Sequence, residues 1–422
     1  MSNTMGNKIL LGLLLGATLG IAARVIAQGA PWLTWIVENI TLPAGQIFLR
    51  LLFMLVIPLL FSALVIGISD LDIRRLGRMG GRMLGYTVVV SLIAVLIGMT
   101  LMNWLQPGAG LPESLRDFAS TSSAAVPIPK PPETSGISMM VGMFPDNPIK
   151  VAAQGEMLGV IVFSLIFGIG LSLTRTQAAI RLRETIQGLY DVSMMLINGI
   201  LKLAPIGVAA LVFTMTARLG LEVFSHLLAY VGVVLLALSL HMFVVYPLSI
   251  RWLGRRSPLA FFRDIRPVML TAFATASSSA TLPTALKVAE ENLKLSPHVS
   301  RFVLTAGSAM NQNGTALYEG VTVLFLAQLY GVHLDLSQQL IVMLVCVLGG
   351  IGTAGVPAGS LPVIAMILAM FGIPPEGLAL IIGIDRFLDM CRTTLNVTGD
   401  LAAAVYVDRA ELSPAAVTKR ES

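Results

Sequence analysis

The sequence predicts an all-α membrane protein with eight transmembrane helices plus two re-entrant helical hairpins. Three observations predict it. The 422 residues are 55% hydrophobic and only 12% charged, with a mean hydropathy of +0.83. A typical soluble chain carries about 25% charged residues, so too little polar surface is present to cover a water-facing body. Apolar stretches of about 20 residues, the length that crosses a bilayer, recur along the chain. Lys and Arg collect in alternate connections, the bias that orients membrane helices.

The spans fall near residues 8–27, 44–70, 82–105, 152–174, 188–217 and 225–250. The opening MSNTMGNKILLGLLLGATLGIAARV has the look of a signal peptide. Its apolar part runs long, however, and Arg24 followed by further apolar sequence fits a first membrane helix better. Residues 298–328 and 374–407 read as helices interrupted by polar groups. Stretches 259–290 and 337–371 are apolar but broken by Ser, Gly and Pro. The connection 106–150 contains AAVPIPKPPETSG and reads as an irregular exposed loop.

Orientation follows from the basic residues. Arg74, Arg75, Arg78 and Arg82 follow the second span; Arg175, Arg181 and Arg183 follow the fourth; Arg251, Arg255, Arg256, Arg263 and Arg266 follow the sixth. With Lys8, Lys419 and Arg420 they share one side if the chain crosses eight times, which puts both termini in the cytoplasm. The two broken stretches must then enter and leave on the same side. Irregular backbone at membrane depth is tolerated only where protein, water or ligand satisfies it. Two such hairpins point to a binding site at mid-depth, where their tips meet.

Composition excludes several classes. The net charge of +5 reads as cytoplasmic loop charge, and no basic run interleaved with aromatics suggests nucleic acid. Cys346 and Cys391 offer no disulfide framework. His226, His241, His298 and His333 show no ligand spacing, and no nucleophile–base pair or HExxH supports an enzyme.

The last helix is the most informative segment. In IDRFLDMCRTTLNVTGDLAAAVYV, Asp385, Asp389, Arg392, Asn396 and Asp400 are spaced 4, 3, 4 and 4 apart. At about 100° per residue they form one narrow stripe. Charges in a membrane helix are costly and face a protein interior or a cavity. Arg392 can grip a carboxylate through two parallel hydrogen bonds, and Asp389, one turn away, can hold an amine. Together they describe a zwitterionic ligand with an extra acid group. The simpler alternative is an internal Asp389–Arg392 salt bridge at i, i+3.

Three other segments carry polar groups into apolar surroundings. TASSSATLPTAL places Ser277, Ser278 and Ser279 before Pro283, a hairpin tip whose helix N-terminus would attract an anion, or a plain polar turn. GGIGTAGVPAGSLP has Gly for close backbone approach and Pro357 to stop a helix. Its free carbonyls suit a sodium ion, and the loop can also serve as a lid; a packing turn is the alternative. GSAMNQNGTALYEG sets Asn311, Gln312, Asn313 and Thr315 around Gly314, a pattern for local unwinding and a cation site. Glu319 follows as a candidate proton carrier, or as the partner of an unseen cation.

SSSATLP, NQNGTALYEG, GTAGVPAGS and DRFLDMCRTTLNVTGD, in that order, resemble the glutamate/aspartate transporter family, the dicarboxylate/amino acid:cation symporters that include the excitatory amino-acid transporters. FPDNPIKVAAQGEMLGVI is similar to the family's entry to its fourth helix. The resemblance implies an elevator-type transporter in the inner membrane of a prokaryote, a homotrimer embedded in lipid. Residues 1–75 and 151–222 would form the trimerisation scaffold (helices one, two, four and five). Residues 76–110 (helix three) and 223–410 (helices six to eight and both hairpins) would form the mobile transport domain. Residues 111–150 would be an extracytoplasmic loop and 411–422 a cytoplasmic tail.

The substrate implied is L-aspartate or L-glutamate, with sodium as coupling ion, a proton as a further candidate, and no cofactor. By position, Arg392 would bind the substrate's side-chain carboxylate and Asp389 its α-amine. Ser278, with Ser277 and Ser279 beside it, would meet the α-carboxylate. Thr315, Thr393, Asn396 and, in the second hairpin, Val356, Ala358 and Gly359 would complete the pocket. One sodium site would comprise Asp400, Asn396, Asn311 and the Gly307 carbonyl; carbonyls around Gly350, Ile351 and Thr353 would help form a second.

The departures are specific. Asn313 replaces a carboxylate of a third sodium site, and Val90, beside Ser91, stands where the family pattern has a threonine ligand. Ala276 and Met390 fill both positions where relatives place an arginine, with Arg386 one turn before Asp389. The changes at Asn313 and Val90 imply coupling to fewer sodium ions, with Glu319 matching a position linked to protons. A C4-dicarboxylate or neutral amino-acid symporter ranks lower, because this chain has both Asp389 and Arg392. A channel ranks lower again.

Overall fold

The computed structural model describes residues 3–27, 30–69, 77–110, 144–154, 157–174, 176–220, 222–352 and 360–411. Every regular element among the described residues is helical. The first group of helices is α1 (Asn3–Ala27), α2 (Leu42–Met54), α3 (Val56–Ser69), α4 (Gly77–Leu105), α5 (Met157–Leu173), α6 (Gln177–Leu201) and α7 (Ala204–Leu219). Then come α8 (Glu222–Leu240), α9 (Tyr246–Trp252), α10 (Arg266–Thr275), α11 (Ser278–Glu291), α12 (Pro297–Met310) and α13 (Asn313–Leu329). The chain closes with α14 (Leu336–Gly352), α15 (Ser360–Met370) and α16 (Leu378–Glu411).

Prolines account for two of the breaks. A proline ring clashes with the carbonyl four residues earlier and removes one hydrogen bond. Pro58 faces the carbonyl of Met54, the last residue of α2. Pro205 faces that of Leu201, the last residue of α6. At Pro43 and Pro247 the helix instead widens into π turns, Val37–Thr41 and His241–Val245, which absorb the clash without stopping the helix.

Two expectations need correction. The second span, expected as one run over 44–70, is two helices, α2 and α3, separated at Leu55. The fifth, expected over 188–217, is the pair α6 and α7, bent by 56° and beginning eleven residues earlier at Gln177. The early part of α6 carries Arg181, Arg183 and Glu184, so its apolar content was diluted below that of a membrane stretch. Among the described residues, three helices are long and apolar enough to cross a membrane, Asn7–Ala27, Met79–Leu105 and Phe224–Trp252, and the bent pair makes a fourth.

Helix α1 packs on α7, α7 on α2, and α3 between α5 and α6. In the other part α13 is central, touching α4, α8, α14, α15 and α16. All but one of its residues are buried, as expected for a helix that is apolar all round. Helix α16 packs on α10, α12 and α13. The two parts meet where α1 and α7 touch α16, and where α3 touches α14 and α15. Leu11, Leu15, Leu19, Val25 and Ile26 of α1 are exposed, and with Trp104, Phe243 and Leu270 they make an apolar exterior suited to lipid.

Each broken stretch forms two helices that pack against each other. In the first, α10 ends at Ala276 in the left-handed conformation (φ 48°), and Ser277 starts α11. In the second, α14 and α15 pack against each other. Thr353, Val356, Ala358 and Gly359 lie outside the described residues. So do nearly all of the loop 111–150 and the tail beyond Glu411.

Candidate functional site

The polar stripe of α16 turns inward along its whole length: Asp385, Asp389, Arg392, Asn396 and Asp400 are all buried. Arg392, only 2% exposed, is the largest buried side chain among the described residues. Its Nη1 donates to Asp385 at 2.8 Å and its Nε to Asp389 at 3.0 Å. The guanidinium stacks 4.3 Å above the Tyr318 ring, and the Tyr318 hydroxyl donates to Asp385 at 2.9 Å. The internal Asp389–Arg392 pair is thus present. It engages two of the five N–H donors of an arginine, with Asp385 as a second anchor. The guanidinium is held in a fixed plane by two carboxylates and an aromatic face, which orients its remaining donors.

The expected unwinding of helix seven is present. Asn311 and Gln312 leave helical geometry (ψ 65° and 53°), and α13 restarts at Asn313. A restarted helix exposes N–H groups, and α16 supplies the acceptor. The Gly314 N–H donates to Asn396 Oδ1 at 2.7 Å, while Asn396 Nδ2 donates to Gln312 Oε1 at 2.6 Å and Thr315 Oγ1 at 3.1 Å. Glycine is required at 314, because a Cβ would lie 2.8 Å from the Arg392 carbonyl oxygen.

One turn further along α16 is a cluster of oxygens. Asp400 Oδ1 accepts from Asn311 Nδ2 at 3.0 Å, and the Gly307 carbonyl accepts from the Asn311 N–H at 2.8 Å. A Cβ on Gly307 would lie 2.7 Å from Asp400 Oδ1, so the carboxylate rests directly on that backbone. Asn311 Oδ1 is buried with no hydrogen-bond partner. A buried carboxylate, an orphaned amide oxygen and an adjacent carbonyl fit a hard monovalent cation. Arg392 cannot neutralise Asp400, being eight residues away, about 12 Å along the helix.

Asn313 belongs to a different, neutral network. Ser91 donates to its Oδ1 at 2.5 Å, its Nδ2 donates to the Tyr246 hydroxyl at 3.1 Å, and Tyr246 donates to the Leu395 carbonyl at 3.1 Å. That chain ties α4, α9, α13 and α16 together with no carboxylate in it. Glu319 is fully buried, and both of its carboxyl oxygens lack a partner.

The serine run divides into three roles. Ser277 caps α11, its side chain accepting from the Ala280 N–H at 3.2 Å. Ser278 is buried with its hydroxyl unpartnered, whereas Ser279 is exposed. The three serines, all expected at the substrate, thus differ in their surroundings: Ser277 caps α11, Ser278 is buried and Ser279 is exposed. Thr393 is buried beside Arg392. Gly350 approaches the break, a Cβ there lying 3.3 Å from the Gln312 carbonyl oxygen; Ile351 continues α14.

Sequence reasoning missed Tyr318 and Tyr246. Tyr318 follows Thr315 by one turn, which was a usable signal. Tyr246 had a weaker one, a lone phenol before Pro247 in an apolar helix.

The family profile described as "Sodium:dicarboxylate symporter family" matches residues 5–410. The chain is 33% identical over 414 residues to the "Proton/glutamate-aspartate symporter" of Escherichia coli, covering 96% of this chain and 92% of that protein. It is 33% identical over 398 residues to the "Proton/sodium-glutamate symport protein" of Geobacillus stearothermophilus, covering 94% and 93%. It is 31% identical over 458 residues to human "Excitatory amino acid transporter 2", covering 96% and 79%.

Proposed function

Since the chain belongs to the sodium:dicarboxylate symporter family, we propose that it carries L-aspartate or L-glutamate across the cytoplasmic membrane by ion-coupled symport. It is a transporter and not an enzyme. The observation that carries the substrate assignment is the buried Arg392, aligned by Asp385, Asp389 and Tyr318 beside the unwound segment of α12 and α13. An acidic amino acid matches this charge pattern: its side-chain carboxylate takes the remaining N–H groups of Arg392, and its ammonium shares Asp389. Thr315, Asn396, Thr393 and the first-hairpin Ser278 would contact the same ligand, and the second-hairpin Val356 is assigned to it from its place in the motif alone.

Sodium would sit at the oxygen cluster of Gly307, Asn311 and Asp400, with Asn396 one turn earlier on α16 as the remaining expected ligand, and would there neutralise the Asp400 carboxylate and satisfy Asn311 Oδ1. A second sodium is assigned, from the motif alone, to carbonyls around Gly350, Ile351 and Thr353. The neutral chain through Asn313 leaves no anionic ligand for a third, which favours coupling to fewer sodium ions together with a proton on Glu319. Measured coupling of three sodium ions per substrate without pH dependence would contradict that stoichiometry.

The transporter would work as an elevator in which α1–α3 and α5–α7 form a static, trimeric scaffold while α4 and α8–α16 move with the cargo. Eight crossings, two re-entrant hairpins, both termini in the cytoplasm and residence in a prokaryotic inner membrane complete the proposal. Thermal stability of the purified protein, with amino acids added in sodium, potassium or choline, tests it. A ligand that binds only the folded state raises its stability by mass action. Stabilisation by aspartate or glutamate alone, strongest in sodium, is expected. Stabilisation by succinate or alanine instead would move the substrate assignment to the C4-dicarboxylate or neutral amino-acid reading.

A further inference from the structure

Two of the hairpin helices begin with a serine whose hydroxyl is buried and unpartnered. One is Ser278 at the start of α11, already placed in the substrate cavity; the other is Ser360, the first residue of α15, only 1% exposed. A buried hydroxyl without a partner is uncommon and costs about as much as a lost hydrogen bond. Its position sharpens the question. The first turn of a helix carries free N–H groups and a partial positive charge, so the surroundings of the Ser360 hydroxyl favour an anion.

The surroundings of α15 locate that anion. The arm packs on α13 and α14. Val363, one turn after Ser360, and Glu319 of α13 both flank Gly349, at 2.8 Å and 3.4 Å from where a Cβ would stand. The next residue, Gly350, lies against the Gln312 carbonyl and Ala316. The start of α15 therefore belongs to the side of α13 that carries Thr315 and Glu319, one turn apart, and next to Glu319 is Tyr318, whose ring holds Arg392.

We propose that the Ser360 hydroxyl donates a hydrogen bond to the side-chain carboxylate of the acidic amino acid, binding it from the second hairpin while Arg392 binds it from α16. The inference rests on the acidic amino-acid reading given above. It makes Ser360 a specificity-determining contact: a hydroxyl and a helix N-terminus add donors that a carboxylate can use and a methyl side chain cannot.

The test compares full-length wild type with Ser360→Ala, measuring ligand-free melting temperature and the Kd for L-aspartate and L-glutamate in saturating sodium. Removal of an unpaired hydroxyl should leave the ligand-free melting temperature unchanged or slightly higher. The Kd should weaken about tenfold or more, the loss typical of a hydrogen bond to a charged group. If Ser360→Ala gives no folded protein, Ser360→Cys, of similar shape and a weak donor, is held to the same criterion. An unchanged Kd overturns the inference, as does a lower ligand-free melting temperature with unaltered affinity, the mark of a structural hydroxyl. Wild type that binds neither acid overturns the functional reading and this inference with it. Wild-type binding with an insensitive variant overturns this inference alone.

Discussion

Replacement of Arg392 by cysteine tests the site most severely, and two separate losses follow from the geometry. The first is stability. Arg392 is 2% exposed and bonds Asp385 at 2.8 Å and Asp389 at 3.0 Å. Truncation leaves two buried carboxylates without their guanidinium, and breaking a buried pair in this way costs about 3–5 kcal/mol. The second is affinity. Loss of a buried charge-assisted contact to a substrate carboxylate costs about 2–5 kcal/mol, roughly 30-fold to more than 1,000-fold in Kd. The double variant Arg392→Cys/Asp385→Asn separates them. The amide introduced by Asp385→Asn carries no charge, and its oxygen can still accept from the Tyr318 hydroxyl, which bonds Asp385 at 2.9 Å. Part of the melting temperature should return while the aspartate Kd stays weak. Binding by calorimetry and melting in detergent supply both readouts. An aspartate Kd within about tenfold of wild type in Arg392→Cys would refute the assigned role of the guanidinium.

Three further outcomes follow. Asp400→Asn removes the carboxylate of the Gly307–Asn311–Asp400 cluster, so the rise in melting temperature with sodium should need at least about tenfold more sodium, read from a salt titration at constant ionic strength. Glu319→Gln keeps the shape of the buried acid in its neutral form; uptake that falls with rising pH in wild type should become flat in the variant, measured as initial rate against pH. Gly314→Ala puts a Cβ 2.8 Å from the Arg392 carbonyl and should cost about 1–3 kcal/mol along with substrate affinity. Gly85→Ala, where a Cβ meets nothing within 4 Å, should leave both unchanged in thermal and binding assays.

The α16 stripe was legible because charge inside an apolar helix has few physical explanations. Its periodicity placed Asp385 through Asp400 on one buried face, and the structure agrees in detail. The break in helix seven was legible for a similar reason: amides beside a glycine have no place in an unbroken apolar helix. The bend at Leu201–Ala204 was less so, although Pro205 stood there. A sliding window of apolar content runs across a proline, and it starts late where Arg181, Arg183 and Glu184 occupy the outer face of α6. The serine run showed that a polar tip existed, but not that Ser277 would be spent on the cap. Tyr246 and Tyr318 escaped notice because a phenol counts as apolar in composition, while its hydroxyl acts only through partners distant in sequence, Asn313 and Asp385.

Uptake of radiolabelled L-aspartate into liposomes containing the purified protein tests the central claim most directly. An inward sodium or proton gradient should drive accumulation above the external concentration, unlabelled glutamate should compete, and Arg392→Cys should abolish it. Equilibration without accumulation, or accumulation unaffected by Arg392→Cys, would contradict the account.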